Sequence, residues 1–335
     1  MKISIRHQSD GIALLIVMCA IFVLSIMAAG LAFSMKVEST LAQRTDTNQR
    51  LVWLGRSGVE YCRWVLAQEK CPYDSLNQQW AGGPGSECDN TNMAFANSVE
   101  LGDGSFTWKI TDLERFANIN FPTDQFIRQA LTLMGVDAGE ISIVSDSIRD
   151  WVQRGDMPRI AGAKDEYYLG LNPPYNCKEA PMDDLSELLL VKGIWDHPEI
   201  YWGGAASNHS GPSFQHHLGF GNAGEAPNYP FGLVDLFTPF SSGRVNINTA
   251  DKNVLQMILM TTGMDVGAAG TAADDIIKWR SGPDGADGTS DDLPFQNVNQ
   301  LTAVGVNPAV VARIGGIADV RSATFKVTVT AQIGN

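Results

Sequence analysis

From Ile12 to Met35 the chain runs for 24 residues without a charged side chain. At ~1.5 Å of helical rise per residue, a stretch of that length crosses a ~30 Å hydrocarbon layer. Ahead of it stands a polar leader, MKISIRHQSDG, with Lys2 and Arg6, and no second apolar span follows. Apolar residues continue at helical spacing through Val37, Leu41, Leu51, Leu54, Val59, Trp64, Val65 and Leu66, with no proline between Ile12 and Lys70. The periodicity predicts one helix that leaves the membrane and ends near Cys71-Pro72, with Gly30, Gly55 and Gly58 as its weak points. A cleaved secretory signal has an apolar core of only ~7–15 residues. This run is longer, although Ala28, Ala29 and Ala32 imitate a cleavage site.

The leader's positive charges place it on the cytoplasmic side and the body across the membrane. There the body meets an oxidising compartment. Cys19 sits in the apolar run, so Cys62, Cys71, Cys88 and Cys177 remain for two expected disulfides. Three connectivities are open. Cys71 with Cys88 is favoured because the two bracket a Gly/Pro/Asn loop. The 335 residues suggest two or three domains. A net charge of −13 argues against nucleic acid and anionic headgroups as partners of the body, and for divalent cations.

Residues 72–97 read as a loop, and Ser105–Glu114 (SFTWKITDLE) alternates as a strand after a Gly102-Asp103-Gly104 turn. Ala323–Gln332 alternates again and returns to the same small antiparallel sheet, which makes the middle of the chain one large insertion. That insertion repeats itself. Asn118-Ile119-Asn120 recurs as Asn246-Ile247-Asn248, an offset of 128. At the same offset Phe126 matches Val254, Leu131 matches Leu259, Asp146 matches Asp274, Ile148 matches Ile276 and Trp151 matches Trp279. Asp184–Ile194 then echoes Asn297–Val306. The pattern is two copies of one helical unit, each with a loop between its second and third helices.

The acidic stretch Ser281–Phe295 groups Asp284, Asp287, Asp291 and Asp292 among glycine turns. These are hard oxygen donors suited to a structural Ca²⁺, although the spacing is not that of an EF-hand. Asp156, Asp165 and Glu166 form a weaker set in the first copy, and His197, His209, His216 and His217 read as scattered in a loop. Asn248 or Thr249 is expected to cap the helix that follows. VNINTADKNVL, Val245–Leu255, resembles a helix-hairpin-helix start, but the acidic residues after it exclude DNA as a partner. No G-x-S-x-G, H-E-x-x-H or P-loop pattern is present, so no enzyme activity and no catalytic residue is expected.

A basic leader ending in Gly11, followed by an apolar helix that carries on out of the membrane, resembles a type IV prepilin N-terminus. The resemblance implies cleavage after Gly11 by prepilin peptidase and methylation of Ile12. Most members carry glutamate at the fifth mature residue, where this chain has Ile16. The subgroup lacking it is general secretion pathway protein K, a minor pseudopilin family of type II secretion. The opening GIALLIVMCAIFVLSIMAAG resembles that family, as do DWVQRGDMPRIAGAKDEYYLGLNPPYN, DLSELLLVKGI and VNINTADKNVL.

The family implies an α+β fold: a long transmembrane and amphipathic helix, a pilin-like helix-plus-antiparallel-sheet domain, and an inserted all-α domain of two SAM-like repeats. The expected boundaries are a leader at 1–11, a membrane helix at 12–35, pilin-like helix and first strands at 36–117, the two repeats at 118–245 and 246–320, and a returning strand at 321–335. The implied role is at the tip of the pseudopilus, with minor pseudopilins H, I and J as partners through the N-terminal helices and secreted cargo as a further contact. The implied location is the inner membrane, single-pass, with the body in the periplasm. The alternative is a membrane-tethered or Sec-secreted binding or hydrolytic protein with a calcium-stabilised helical-repeat domain.

Overall fold

The computed structural model describes residues 10–86, 88, 98–121, 124–203 and 229–334. The leader before Asp10 and His209, His216 and His217 lie outside the described residues. The chain opens with α1 (Asp10–Ala67), 58 residues without a break at Gly30 or Gly55. It stops at Ala67, ahead of the expected Cys71-Pro72, and a 3-10 turn follows at Gln79–Ala81. Next come β1 (Ser98–Leu101), β2 (Gly104–Asp112), β3 (Ala117–Asn118), α2 (Asp124–Met134), α3 (Ala138–Val152) and two single turns, α4 (Asp165–Tyr168) and α5 (Glu199–Trp202). After them lie β4 (Phe237–Thr238), β5 (Val245–Asn246), α6 (Lys252–Met260), α7 (Val266–Arg280), α8 (Pro308–Ile314), β6 (Ala318–Asp319) and β7 (Phe325–Ile333). The chain divides into two compact units.

The first unit comprises Met1–Tyr61, Ser98–Trp108 and Val329–Asn335. Its strands belong to a sheet ordered β1-β2-β7. β1 and β2 are an antiparallel hairpin, from Ser98 opposite Thr107 to Leu101 opposite Gly104, turned through Gly102 at φ 67°. Positive φ at that corner is why a glycine stands there. α1 lies on this sheet through buried Leu54 and through Tyr61, whose ring meets Phe106 edge-on at 6.0 Å. Gly58, expected as a weak point, is the place of closest approach. A Cβ there would stand 2.5 Å from Val329 Cγ1 and 3.0 Å from Phe106.

The second unit, Cys62–Asn97 with Lys109–Thr328, holds the helical body. Its element boundaries repeat. α3 spans 138–152 and α7 spans 266–280, each 15 residues, so both ends recur 128 positions on. β3 at 117–118 and β5 at 245–246 stand at the same offset, as do the starts of α2 at 124 and α6 at 252. Leu131, Ile148, Val254, Leu259 and Ile276 are all buried in one core. Each short strand is closed by a parallel partner: Ala117 and Asn118 pair with Phe237 and Thr238, Val245 and Asn246 with Ala318 and Asp319.

The third helix expected in each copy is a 3-10 segment instead, Leu185–Leu190 in one and Val298–Val304 in the other. At six and seven residues both are longer than most 3-10 segments. The first is fixed by a capping box, with Asp184 accepting from Ser186 N at 2.8 Å and Glu187 accepting from Asp184 N at 3.2 Å.

Candidate functional site: an anchor helix, paired asparagine clamps and an acidic loop

The first turns of α1 carry the expected processing residues. Gly11 is helical, and Ile12 and Ile16 are 67% and 60% exposed. The helix from Ile12 is long and apolar enough to cross a membrane by length and composition, with mean hydropathy 3.0 in its most apolar window. That makes it compatible with a single-pass anchor. The exposure of Leu14, Phe22, Leu24 and Phe33 is what a lipid-facing helix needs and what a water-facing helix avoids.

In the body, the repeated Asn-Ile-Asn does the same work twice. The first asparagine turns its side chain forward, so that Asn118 Oδ1 accepts from Asn120 N at 2.8 Å and Asn246 Oδ1 from Asn248 N at 2.9 Å. The second asparagine then clamps a distant main chain with both ends of its amide. Asn120 accepts from Met182 N at 2.7 Å and donates to Met182 O at 3.0 Å. Asn248 accepts from Phe295 N at 2.8 Å and donates to Phe295 O at 2.9 Å. Met182 and Phe295 each stand three residues ahead of a 3-10 segment. The expectation that Asn248 or Thr249 caps α6 is therefore corrected. The N-cap residue is Asp251, Asn248 holds Phe295, and the Thr249 hydroxyl donates to Asp112. An amide has one donor and one acceptor side, which matches a peptide group better than a helix end.

The Ser281–Phe295 loop does not gather its four aspartates around one point. Asp287 turns to Arg280, which grips both its oxygens at 3.0 and 2.7 Å. Arg280 is itself buried and donates to the carbonyls of Ile247 and Ala250 at 2.8 and 2.7 Å. Asp284 accepts from Ala286 N, Asp291 from Asp284 N, and Asp292 from Gly288 N. The Thr289 hydroxyl lies 2.8 Å from Asp291 and 3.2 Å from Asp292. Its hydrogen bond, first, holds the Asp291 carboxyl below its ordinary range, whereas burial pushes Asp292 up. Among the described residues, the one group of three side-chain ligand atoms within 4.8 Å is Glu69, Cys71 and Cys88.

Those two cysteines are joined. Cys71–Cys88 is the disulfide favoured by the loop between them. The second expected bridge is corrected: Cys62 on α1 and Cys177 in the body are free, buried thiols. Burial pushes the Cys62 thiol up to about 11 and that of Cys177 upward as well, so both are packed as small hydrophobes.

In the first copy's loop, Lys164 is buried and donates to the carbonyls of Asp150 and Gln153 and to Glu179 at 3.0 Å. Asp165 accepts from Cys177 N at 2.6 Å. Asp156, Asp165 and Glu166 line a cavity of about 560 Å³ beside that ammonium. His197 Nδ1 lies 3.1 Å from Glu199.

A buried carboxylate knot has no counterpart in the sequence reading. Asp112 accepts from Ser322 Oγ at 2.7 Å and from Asn246 Nδ2 at 3.3 Å. Asp74 accepts from Ser322 N at 2.7 Å, and Glu114 accepts from Ser242 N and Ala323 N at 3.3 Å each. Burial pushes Asp74 up to about 6 and raises Asp112 and Glu114. The alternating strand and the strings of small polar residues gave no sign that these acids face one another.

Residues 111–200 match the family model for type II secretion system protein K. Type II secretion system protein K of Aeromonas hydrophila is 26% identical over 215 residues, 57% of this chain and 60% of its own length. The Pseudomonas aeruginosa protein of the same name is 26% identical over 202 residues, covering 56% of this chain and 58% of its own length. The match therefore spans less than two thirds of these relatives. In fold the agreement is wider. A chain in the crystal structure of the GspK-GspI-GspJ complex from enterotoxigenic Escherichia coli superposes with a TM-score of 0.58 at 16% identity, over 87% of this chain and 89% of that one. In its matched segment and in sequence the chain is similar to type II secretion system protein K, and its fold is that of the GspK structure.

Proposed function

We propose that this chain is a minor pseudopilin of a type II secretion system, at the tip of the pseudopilus. There it starts or caps assembly with other minor pseudopilins and supports export of folded proteins across the outer membrane. The observation that carries this reading is α1, one unbroken 58-residue helix whose apolar first part is wholly exposed. A membrane-tethered or Sec-secreted binding or hydrolytic protein needs only the apolar span, whereas a filament subunit also uses the unbroken continuation of the helix against its neighbours. The relatives are named for type II secretion, and the superposed structure is a complex with two further proteins, I and J. That likeness supports partners I and J, and the sequence resemblance adds H, all met through the N-terminal helices. Cleavage after Gly11, a methylated Ile12, an inner-membrane anchor and a periplasmic body belong to the same proposal.

Ile16 fits the tip. A carboxylate inside the membrane needs a partner charge on the next subunit, and an isoleucine makes no such demand. Calcium on Asp284, Asp291 and Asp292 belongs to the same proposal as a stabiliser of the loop, Asp287 being committed to Arg280. Chelation by EGTA is expected to lower the unfolding temperature of the full chain, and an unchanged melt removes the metal.

The deciding experiment is the mass and N-terminal sequence of the mature protein from membranes, with and without prepilin peptidase. A chain starting at methylated Ile12 and lost in the peptidase mutant is expected. Cleavage near Ala32, or indifference to the peptidase, overturns the reading.

A further inference from the structure

The first copy's loop is closed on a cation of its own. Lys164 is only 7% exposed, and its ammonium directs all three protons at oxygens: the carbonyls of Asp150 and Gln153 and, at 3.0 Å, the carboxylate of Glu179. The two carbonyls belong to the end of α3, where a helix leaves its last oxygens without amide partners and its dipole favours positive charge. Glu179 stands at φ 51°, the one residue other than glycine with a positive φ among the described residues. That angle is disfavoured for a residue with a Cβ, and it is kept here where the carboxylate meets the ammonium.

Main-chain carbonyls and carboxylates are also the donors of calcium sites. At 2.8 and 3.0 Å from Nζ, Asp150 O and Glu179 Oε1 need move inward by only a few tenths of an ångström to reach the ~2.3–2.6 Å of a Ca²⁺–oxygen bond. The ammonium borders a cavity of about 560 Å³ whose wall carries Asp156, Asp165 and Glu166, which gives an ion a way in and room for its water. Arg159, the other cation nearby, is held by Asp124 at 2.9 Å and Gln153 Oε1 at 3.1 Å. Lys164 is thus the charge that balances Glu179.

We propose that Lys164 stands in a calcium-type position, its ammonium taking the place of a divalent ion. With the lysine present the first loop closes without metal at this point, and withdrawing the ammonium turns the same oxygens into a Ca²⁺ site. A shorter side chain leaves two carbonyls and a carboxylate facing an unfilled space, and a hard ion relieves that uncompensated burial. The inference concerns this loop alone. It stands whether or not the chain works as a pseudopilin, and whether or not the aspartates of the second loop hold calcium.

The test uses the full chain in detergent at ~0.15 M salt, where diffuse attraction to an acidic surface is screened. Lys164→Ala is compared with the parent chain by unfolding temperature, in EGTA and in ~5 mM Ca²⁺, and by equilibrium dialysis against radiolabelled Ca²⁺. In EGTA the variant is expected to melt below the parent. In Ca²⁺ it should rise by ~3–5 °C more than the parent does and bind one ion more per chain. Lys164→Met, which fills the space with an apolar stem, should gain neither, and adding Glu179→Gln to Lys164→Ala should remove most of the gain. An equal calcium response in Lys164→Ala and the parent overturns the proposal. So does a Lys164→Ala chain that stays unfolded in Ca²⁺, because the ion then fails to replace the ammonium. A full gain in either control, or equal recovery with Mg²⁺, overturns it as well and marks general relief of repulsion on an acidic wall.

Discussion

Replacing Asn248 by alanine tests whether the paired amides hold the body together. The side chain is 3% exposed, and its two hydrogen bonds to Phe295, at 2.8 and 2.9 Å, satisfy an N–H and a C=O beside a buried ring. Alanine leaves both main-chain groups without a partner, and each such group costs ~1–3 kcal/mol. The expected loss is therefore about 2–6 kcal/mol, with the lower end reached if a water enters the space left by the amide. Asn120 makes the same pair of bonds to Met182 but is half-buried, so solvent recovers part of the loss and about 1–3 kcal/mol is expected for Asn120→Ala. Urea titrations of the full chain in detergent, followed by tryptophan fluorescence, read both. Asn248→Asp sharpens the test. It keeps the acceptor for Phe295 N but points a carboxylate at Phe295 O, so the variant should be least stable at neutral pH and recover as acid restores a donor. A loss below about 0.5 kcal/mol for Asn248→Ala would refute the clamp, since no buried pair of peptide groups is left unsatisfied so cheaply.

Arg280→Met removes the donor to two carbonyls and strands Asp287, and a loss of ~3–5 kcal/mol is expected by the same titration. Reducing Cys71–Cys88, which closes a sequence separation of 17, should cost ~3 kcal/mol, and the buried thiols of Cys62 and Cys177 should resist alkylation until the chain unfolds. The raised carboxyls give a pH signature. Asp74 binds its proton more tightly folded, at about 6, than at its ordinary 3.8, so the folded state is penalised above pH 6 and the penalty fades as pH falls toward 4. Asp74→Asn should therefore stabilise the chain at pH 8 and flatten this part of the profile. A profile identical to that of the parent chain would show that Asp74 does not carry it.

Much of this architecture is legible in the sequence because it is periodic. The uncharged run and the proline-free continuation fix α1, and a constant offset from Asn118 to Trp279 betrays two copies whose helices start in register. What stays hidden depends on residues far apart in the chain. Asp74 reaches Ser322 across 248 positions and Asp112 reaches Asn246 across 134. No local pattern marks a buried carboxylate whose partners are that remote. Arg280 and Lys164 look like surface charges until their carbonyl partners are known. The count of four cysteines suggests pairing, but Cys62 is buried on α1 and Cys177 lies beside the Asp150 carbonyl. Loop length alone singles out Cys71 and Cys88.

Repetition also separates what holds this body from what it offers to others. The helices, the two-residue parallel strands and the amide clamps are common to both copies, and they are buried. The loops between them differ, yet each is closed from inside by a buried side-chain cation that takes two main-chain carbonyls and one carboxylate. In the first copy it is Lys164, on Asp150, Gln153 and Glu179. In the second it is Arg280, on Ile247, Ala250 and Asp287. An internal cation of this kind neutralises the one carboxylate it grips, Glu179 in the first copy and Asp287 in the second. In the first copy the ring of Trp151 is covered, and in the second Asp291 and Asp292 stand beside an uncovered one. The duplicated scaffold thus leaves one loop to cover its tryptophan with tyrosine rings and the other to leave Trp279 exposed beside carboxylates.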